Sequence, residues 1–132
     1  MIKAIYPNLP IVDVEKTRKF FTELGFTFNE QFSDEKALGL EICENASVML
    51  LKREFFETFI KRDIADPHKS ISCLLAIQLE DRAAVDDLFQ KALTAGGKEH
   101  RDPQDMGFMY SRSFEDINGH IWEPFFMEEA TA

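Results

Sequence analysis

Residues Ser113–Phe126 read S-F-E-D-I-N-G-H-I-W-E-P-F-F. Asn118-Gly119 is the strongest short hairpin signal in the chain, because both central positions of a type I′ turn need φ > 0. Alternating apolar runs flank it, Phe108–Phe114 on one side and His120–Phe126 on the other. A period of two puts Ile121, Glu123 and Phe125 on one sheet face, and His120, Trp122 and Phe126 on the other. Glu123 is thus a carboxylate between Ile and Phe on its own face. It must be exposed at an edge, paired, or bound to something. Pro124 removes a ladder bond, which implies a bulge or a strand end just after Glu123.

Upstream of the hairpin, Ile71–Glu80 reads as a strand and Asp81 as the cap of a helix. That helix has an apolar face of Val85, Leu88, Phe89 and Ala92 and ends at Ala95-Gly96-Gly97. Lys98–His100 reads as a short strand and R-D-P-Q-D-M-G as a loop. The same order occurs earlier in the chain. Ala4–Val12 is a strand that Pro7 and Pro10 confine to an edge or make irregular. Asp13 caps a helix with Thr17, Phe20, Phe21 and Leu24 at helical spacing, and Gly25 closes it. Phe26–Gln31, Ala37–Cys43 and Ala46–Lys52 follow as strands. Glu54–Lys61 carries Phe55, Phe56, Phe59 and Ile60 at the spacing of a short amphipathic helix.

The element order is therefore β-α-β-β-β twice, an α+β fold. Module one is 1–61, the polar stretch 62–70 is a linker, and module two is 71–132, together one domain over 1–132. Neither half can bury both faces of its sheet at this size. Pairing the two sheets into a curved, half-open barrel with the helices outside solves that problem and leaves a concave inner face for ligands.

Composition narrows the function classes. Of 132 residues, 45% are hydrophobic and 13 are Phe, which suits a Phe-rich core. The net charge of −9, without a basic run, argues against nucleic acid and favours cationic ligands. Cys43 and Cys73 lie in apolar runs without C-x-x-C spacing and read as small buried residues. No membrane-length apolar run or signal peptide is present, so the expected setting is cytoplasmic, with no membrane partner.

V-D…F-F-T-E-L-G-F in the first module and F-E-D-I-N-G-H-I-W-E in the last hairpin resemble the glyoxalase/bleomycin-resistance/dioxygenase (vicinal oxygen chelate) superfamily. The resemblance covers essentially the whole chain. Within it, Pro103–Pro124 is similar to small bacterial proteins described as predicted lactoylglutathione lyases. The superfamily spans isomerases, dioxygenases, epoxide-opening transferases and non-catalytic antibiotic binders, so the fold alone does not choose a function. The resemblance implies a homodimer. It also implies one divalent metal on four side chains, at positions matching Tyr6, Leu51, Leu74 and Glu123. Only Glu123 is an ordinary ligand there, and the three histidines do not converge on one face. The divalent-metal cofactor is therefore poorly supported.

Two readings of the function follow. In the first, the chain is a lyase or isomerase on a small carbonyl compound. Glu123 is then the catalytic base, its apolar setting suited to proton transfer, and Tyr6, Asn8, Phe108, Tyr110 and Arg112 bind substrate. Arg112 could clamp a carboxylate bidentately or pair with Glu115 or Asp116. In the second, an acidic, aromatic groove sequesters a cationic or aromatic small molecule without catalysis. A purely structural role for Glu123, bonded to Tyr6 or Asn8, remains equally open. Trp122 is expected under a helix.

Overall fold

The computed structural model describes residues 1–129. The chain divides into two compact units after Ala65. The first holds β1 (Asn8–Ile11), α1 (Val14–Glu23), β2 (Thr27–Phe28), β3 (Ala37–Cys43), β4 (Ala46–Lys52) and the short α2 (Arg53–Glu57). The second holds β5 (Leu74–Gln78), α3 (Arg82–Thr94), β6 (Lys98–Asp105), β7 (Met109–Glu115) and β8 (Ile121–Met127). Strand orders are β1-β4-β3-β2 and β5-β8-β7-β6. In each unit the first strand runs parallel to the last, and the remaining pairs are antiparallel. The α+β class and the repeated βαβββ order are thus as expected from the sequence.

Local chemistry explains the helices. The Asp13 carboxylate accepts the Lys16 N–H at 2.8 Å, satisfying a donor at the start of α1. Val14, Thr17, Phe20 and Phe21 form its buried face. Gly25, at φ +95°, ends it, and the Phe26 N–H returns to the Phe21 carbonyl at 3.0 Å. Asp81 caps α3 in the same way, accepting the Ala84 N–H at 2.7 Å. Val85, Leu88, Phe89 and Ala92 point α3 at β7 and β8, where Phe114 and Trp122 are fully buried. Burying each such large side chain stabilises the unit by about 1.5–3 kcal/mol.

The strands depart from expectation where proline and loops intervene. β1 begins at Asn8 rather than Ala4, leaving a lone bridge between Ile5 and Ala46. It lies at a sheet edge, as its prolines require. β2 has two residues and gives way to a 3₁₀ turn at Glu30–Phe32. There the Asn29 side chain accepts the Gln31 N–H, competing with the ladder. The second helix stops at Glu57 rather than Lys61, and β5 starts at Leu74 rather than Ile71.

The largest correction concerns β6, which continues to Asp105 through the expected loop. It is an edge strand with two register breaks, and edges tolerate Pro103 and dense charge. β8 also continues past Pro124, with Ile77 of β5 paired beside it. Its ladder to β7 lacks pairs between Ser111↔Phe125 and Phe114↔Trp122, yet the register is the same on both sides. Pro124 therefore removes pairing without a bulge or a strand end.

The hairpin turn is not type I′. Among the described residues no non-glycine has positive φ, so only Gly119 (φ +93°) is left-handed. The Gly119 N–H reaches the Asp116 carbonyl and the Asp116 N–H reaches the His120 carbonyl, enclosing a three-residue loop. A Cβ on Gly119 would lie 2.9 Å from His68 Nδ1 and 3.0 Å from both the His68 nitrogen and the Pro67 carbonyl carbon. Glycine is therefore required there twice over, by torsion and by contact. Residues 66–70, expected in the linker, belong to the second unit, with His68 Nδ1 2.7 Å from Glu115 Oε1.

Cys43 and Cys73 are free and exposed, not buried as their apolar neighbours suggested. Each lies at or just outside a strand end, where covering side chains run out. No helix among the described residues is long and apolar enough to cross a membrane.

Candidate functional site

The sheet of the second unit separates the expected site residues onto two faces. Antiparallel partners share a face, so the pairs Tyr110↔Phe126 and Phe114↔Trp122 put Tyr110, Arg112 and Trp122 on one side. Helix α3 packs on that side. Its Asp86 accepts from the Tyr110 hydroxyl and from Arg112 Nη1 at 3.2 Å. Arg112 also reaches Glu99 at 3.3 Å and lies 3.8 Å over the Phe89 ring. Burial alone would lower the Arg112 guanidinium. Hydrogen bonds to Tyr110, Glu99 and Asp86 outweigh it and leave the group above its ordinary value. Burial, with the Asp86 bond, raises the Tyr110 phenol. These two side chains join helix to sheet through the Tyr110 hydroxyl and both Arg112 Nη atoms, while the buried Arg112 Nε has no hydrogen-bond partner among the described residues.

Glu123 is on the opposite face, between Ile121 and Phe125, with 17% of its side chain exposed. Its partner is Arg101, whose Nη2 lies 3.2 Å from Glu123 Oε2 and 3.1 Å from Ser111 Oγ. Arg101 was missed in the sequence because R-D-P-Q-D read as a loop. The available signal was its mixture of charge and proline, which is how exposed sheet edges are commonly protected. Phe108 precedes β7 and is exposed. The second unit therefore does not bring Glu123 together with Tyr110 or Arg112. The acids Glu115 and Asp116 are not the partners of Arg112: Glu115 holds His68, and Asp116 turns inward to Trp122 Nε1 at 2.9 Å.

Tyr6 and Asn8 belong to the first unit. The Asn8 amide donates to the Tyr6 carbonyl at 2.7 Å, fixing the irregular segment around Pro7. Tyr6 helps line a cleft of about 430 Å³ with Thr27, Asn29, Phe32, Glu41, Ile42, Cys43, Glu44 and Ser47. Thr27, Glu41 and Ser47 are register partners on one rung across β2, β3 and β4. The Thr27 hydroxyl donates to Glu41 Oε1 at 2.9 Å, orienting that carboxylate. The 3₁₀ turn at Glu30–Phe32 supplies the Phe32 ring, which is half exposed. The lining contains two carboxylates and two aromatic rings, and none of its residues is basic. A second hollow of about 420 Å³, beside Lys36, Lys52, Glu35 and Glu54, mixes both signs of charge and selects no ligand class.

The metal implied by the resemblance does not fit these residues. Leu51 and Leu74 offer only hydrocarbon, and the Glu123 carboxylate is held by Arg101. No three His, Cys, Asp or Glu side chains gather as a ligand set among the described residues. A stable divalent site needs three or four such donors.

Comparisons with known proteins agree with the topology. No curated protein matches the sequence. Hypothetical protein SA1046 from S. aureus superposes with TM-score 0.80 at 24% identity, covering 98% of this chain and 95% of that one. A glyoxalase-related enzyme from Fulvimarina pelagi gives TM-score 0.81 at 19% identity, covering 96% and 88%. A glyoxalase/bleomycin resistance protein/dioxygenase family enzyme from Burkholderia phytofirmans PsJN gives 0.75 at 19%, covering 92% and 96%. The sequence profile of one family matches residues 4–123. The chain therefore belongs to the glyoxalase/bleomycin resistance protein/dioxygenase superfamily.

Proposed function

We propose that this chain is a metal-independent small-molecule-binding member of its superfamily, and that its ligand is an organic cation held in the cleft of the first unit. The observation that carries this reading is the lining of that cleft. Glu41 and Glu44 supply negative charge, Tyr6 and Phe32 supply aromatic faces, and no basic residue opposes them. A cation over an aromatic ring gains about 0.5–1 kcal/mol at an exposed site, and nearby carboxylates add to it. The net charge of −9 draws cations toward the protein. The alternative, a lyase or isomerase acting through Glu123, needs that carboxylate released from Arg101 and substrate-orienting groups on its own face. Membership of the lactoylglutathione lyase-like subgroup and a homodimer belong to the same proposal and rest on the resemblance alone, and a cytoplasmic setting rests on the sequence reading of no membrane-length apolar run.

Calorimetry with benzyltrimethylammonium, against benzoate as the anionic control, tests the reading. The cation should bind and benzoate should not. Glu41→Gln should weaken cation binding about fivefold, equivalent to about 1 kcal/mol, the upper range for an exposed charge pair. Equal binding of benzoate, or full affinity in Glu41→Gln, would remove the cleft from the function.

A further inference from the structure

Arg101, Ser113 and Glu123 form a row across three strands of the second unit. Arg101 on β6 is the register partner of Ser113 on β7. Ser113 lies two residues from Ser111, whose partner is Phe125, so its side chain shares the face of Glu123 on β8. To reach Glu123 and Ser111, the Arg101 side chain crosses above Ser113. Beneath it Ser113 is wholly buried, and its hydroxyl has no hydrogen-bond partner among the described residues. Leaving a buried hydroxyl unpaired is unfavourable, and a ligand that gives it a partner relieves that cost. Arg101 and Glu123 keep 27% and 17% of their side chains exposed, so the pair itself is within reach of solvent.

We propose that Arg101, Glu123, Ser111 and Ser113 bind a small zwitterion of the α-amino-acid type. An entering carboxylate alone would take Arg101 and leave Glu123 unpaired beside it. An entering amine alone would take Glu123 and leave Arg101 unpaired. Either leaves a partly buried charge without its ion-pair partner. A ligand carrying both groups a few ångströms apart exchanges one ion pair for two. Its carboxylate takes the Arg101 guanidinium and the Ser113 hydroxyl, and its ammonium takes Glu123. The negative charge of the whole chain further disfavours a simple anion. Ile121 and Phe125 flank Glu123 on this face, which suits an apolar side chain on the ligand. This site is in the second unit and does not depend on the cation cleft of the first.

The test compares L-leucine with its two single-charge analogues, 4-methylpentanoate and 3-methylbutylamine, by calorimetry and thermal melting. L-leucine should bind at least tenfold more tightly than either analogue. Ser113→Ala should melt normally and bind L-leucine about tenfold more weakly. The double variant Arg101→Gln/Glu123→Gln, which strands neither charge, should lose the response while still binding benzyltrimethylammonium as the native protein does. The assignment is overturned if 4-methylpentanoate matches L-leucine, if the folded native protein ignores L-leucine, or if the folded double variant keeps its affinity.

Discussion

Asp116 shows how much one buried carboxylate organises in this chain. It is 3% exposed, and its Oδ1 accepts the N–H groups of Asn118 at 2.8 Å and His120 at 3.0 Å. Its Oδ2 accepts Trp122 Nε1 at 2.9 Å. Burial pushes the carboxyl above its ordinary value, against the opposing pull of His120 and these hydrogen bonds. One side chain thus closes the turn and fixes the indole at the centre of the core. Asp116→Asn keeps the acceptor for the backbone but sets an amide N–H against the Trp122 N–H. Urea unfolding should register a loss of about 1–3 kcal/mol, the range for a buried donor left unpaired. A loss below about 0.5 kcal/mol, an ordinary surface effect, would mean that the indole finds another acceptor. The sequence marked a turn at Asn118-Gly119, but nothing local distinguished Asp116 from the other acids nearby, since its role depends on Trp122 folding back over it.

The β6–β7 connection is held by a tether of the same economy. Arg82, at the start of α3, forks onto Asp105 with contacts of 2.8 and 2.9 Å and also donates to the Gly107 carbonyl at 3.0 Å. The Gly107 N–H returns to Asp105 Oδ1 at 2.9 Å. Hydrogen bonding to Arg82, and then to Gly107, holds the Asp105 carboxyl well below the usual carboxylate range. Because the folded value lies below the unfolded one, the tether's contribution is present above about pH 3.9. It is lost only as pH falls through the folded value. An NMR titration should place the Asp105 transition below the ordinary aspartate range, and Arg82→Gln should move it back toward that range. An unmoved transition in the variant would show that Arg82 is not what holds the loop. β6 was the element least legible in the sequence, because edge strands carry the charges and prolines that elsewhere mark loops. α1 and α3 were legible because caps and 3.6-residue periodicity are local properties.

For the molecule as a whole, two units of identical topology carry different chemistry. The first presents acidic and aromatic groups in its cleft, and the second locks the Glu123 carboxylate to an arginine. Protein purified without chelator or affinity metal should contain far less than one equivalent of nickel, zinc, iron or manganese by elemental analysis. Near-stoichiometric metal would require Glu123 to abandon Arg101 and donors beyond Leu51 and Leu74 to be supplied. It would return the lyase reading to first place.

The sequence alone determined the class of fold, its repeated βαβββ order, the helix caps at Asp13 and Asp81, and the pairing face of Glu123. All of these follow from spacing over a few residues, where sterics and hydrogen bonding are local. Tertiary structure alone decided the partners. Arg101 meets Glu123 and Arg112 meets Asp86 only because strand register and helix docking bring together residues more than 20 positions apart. That register also sets Tyr110 and Arg112 against Asp86 of α3, on the face opposite Glu123. A side chain's face can be read from its neighbours in sequence, but its partner depends on which strand or helix lies across from it.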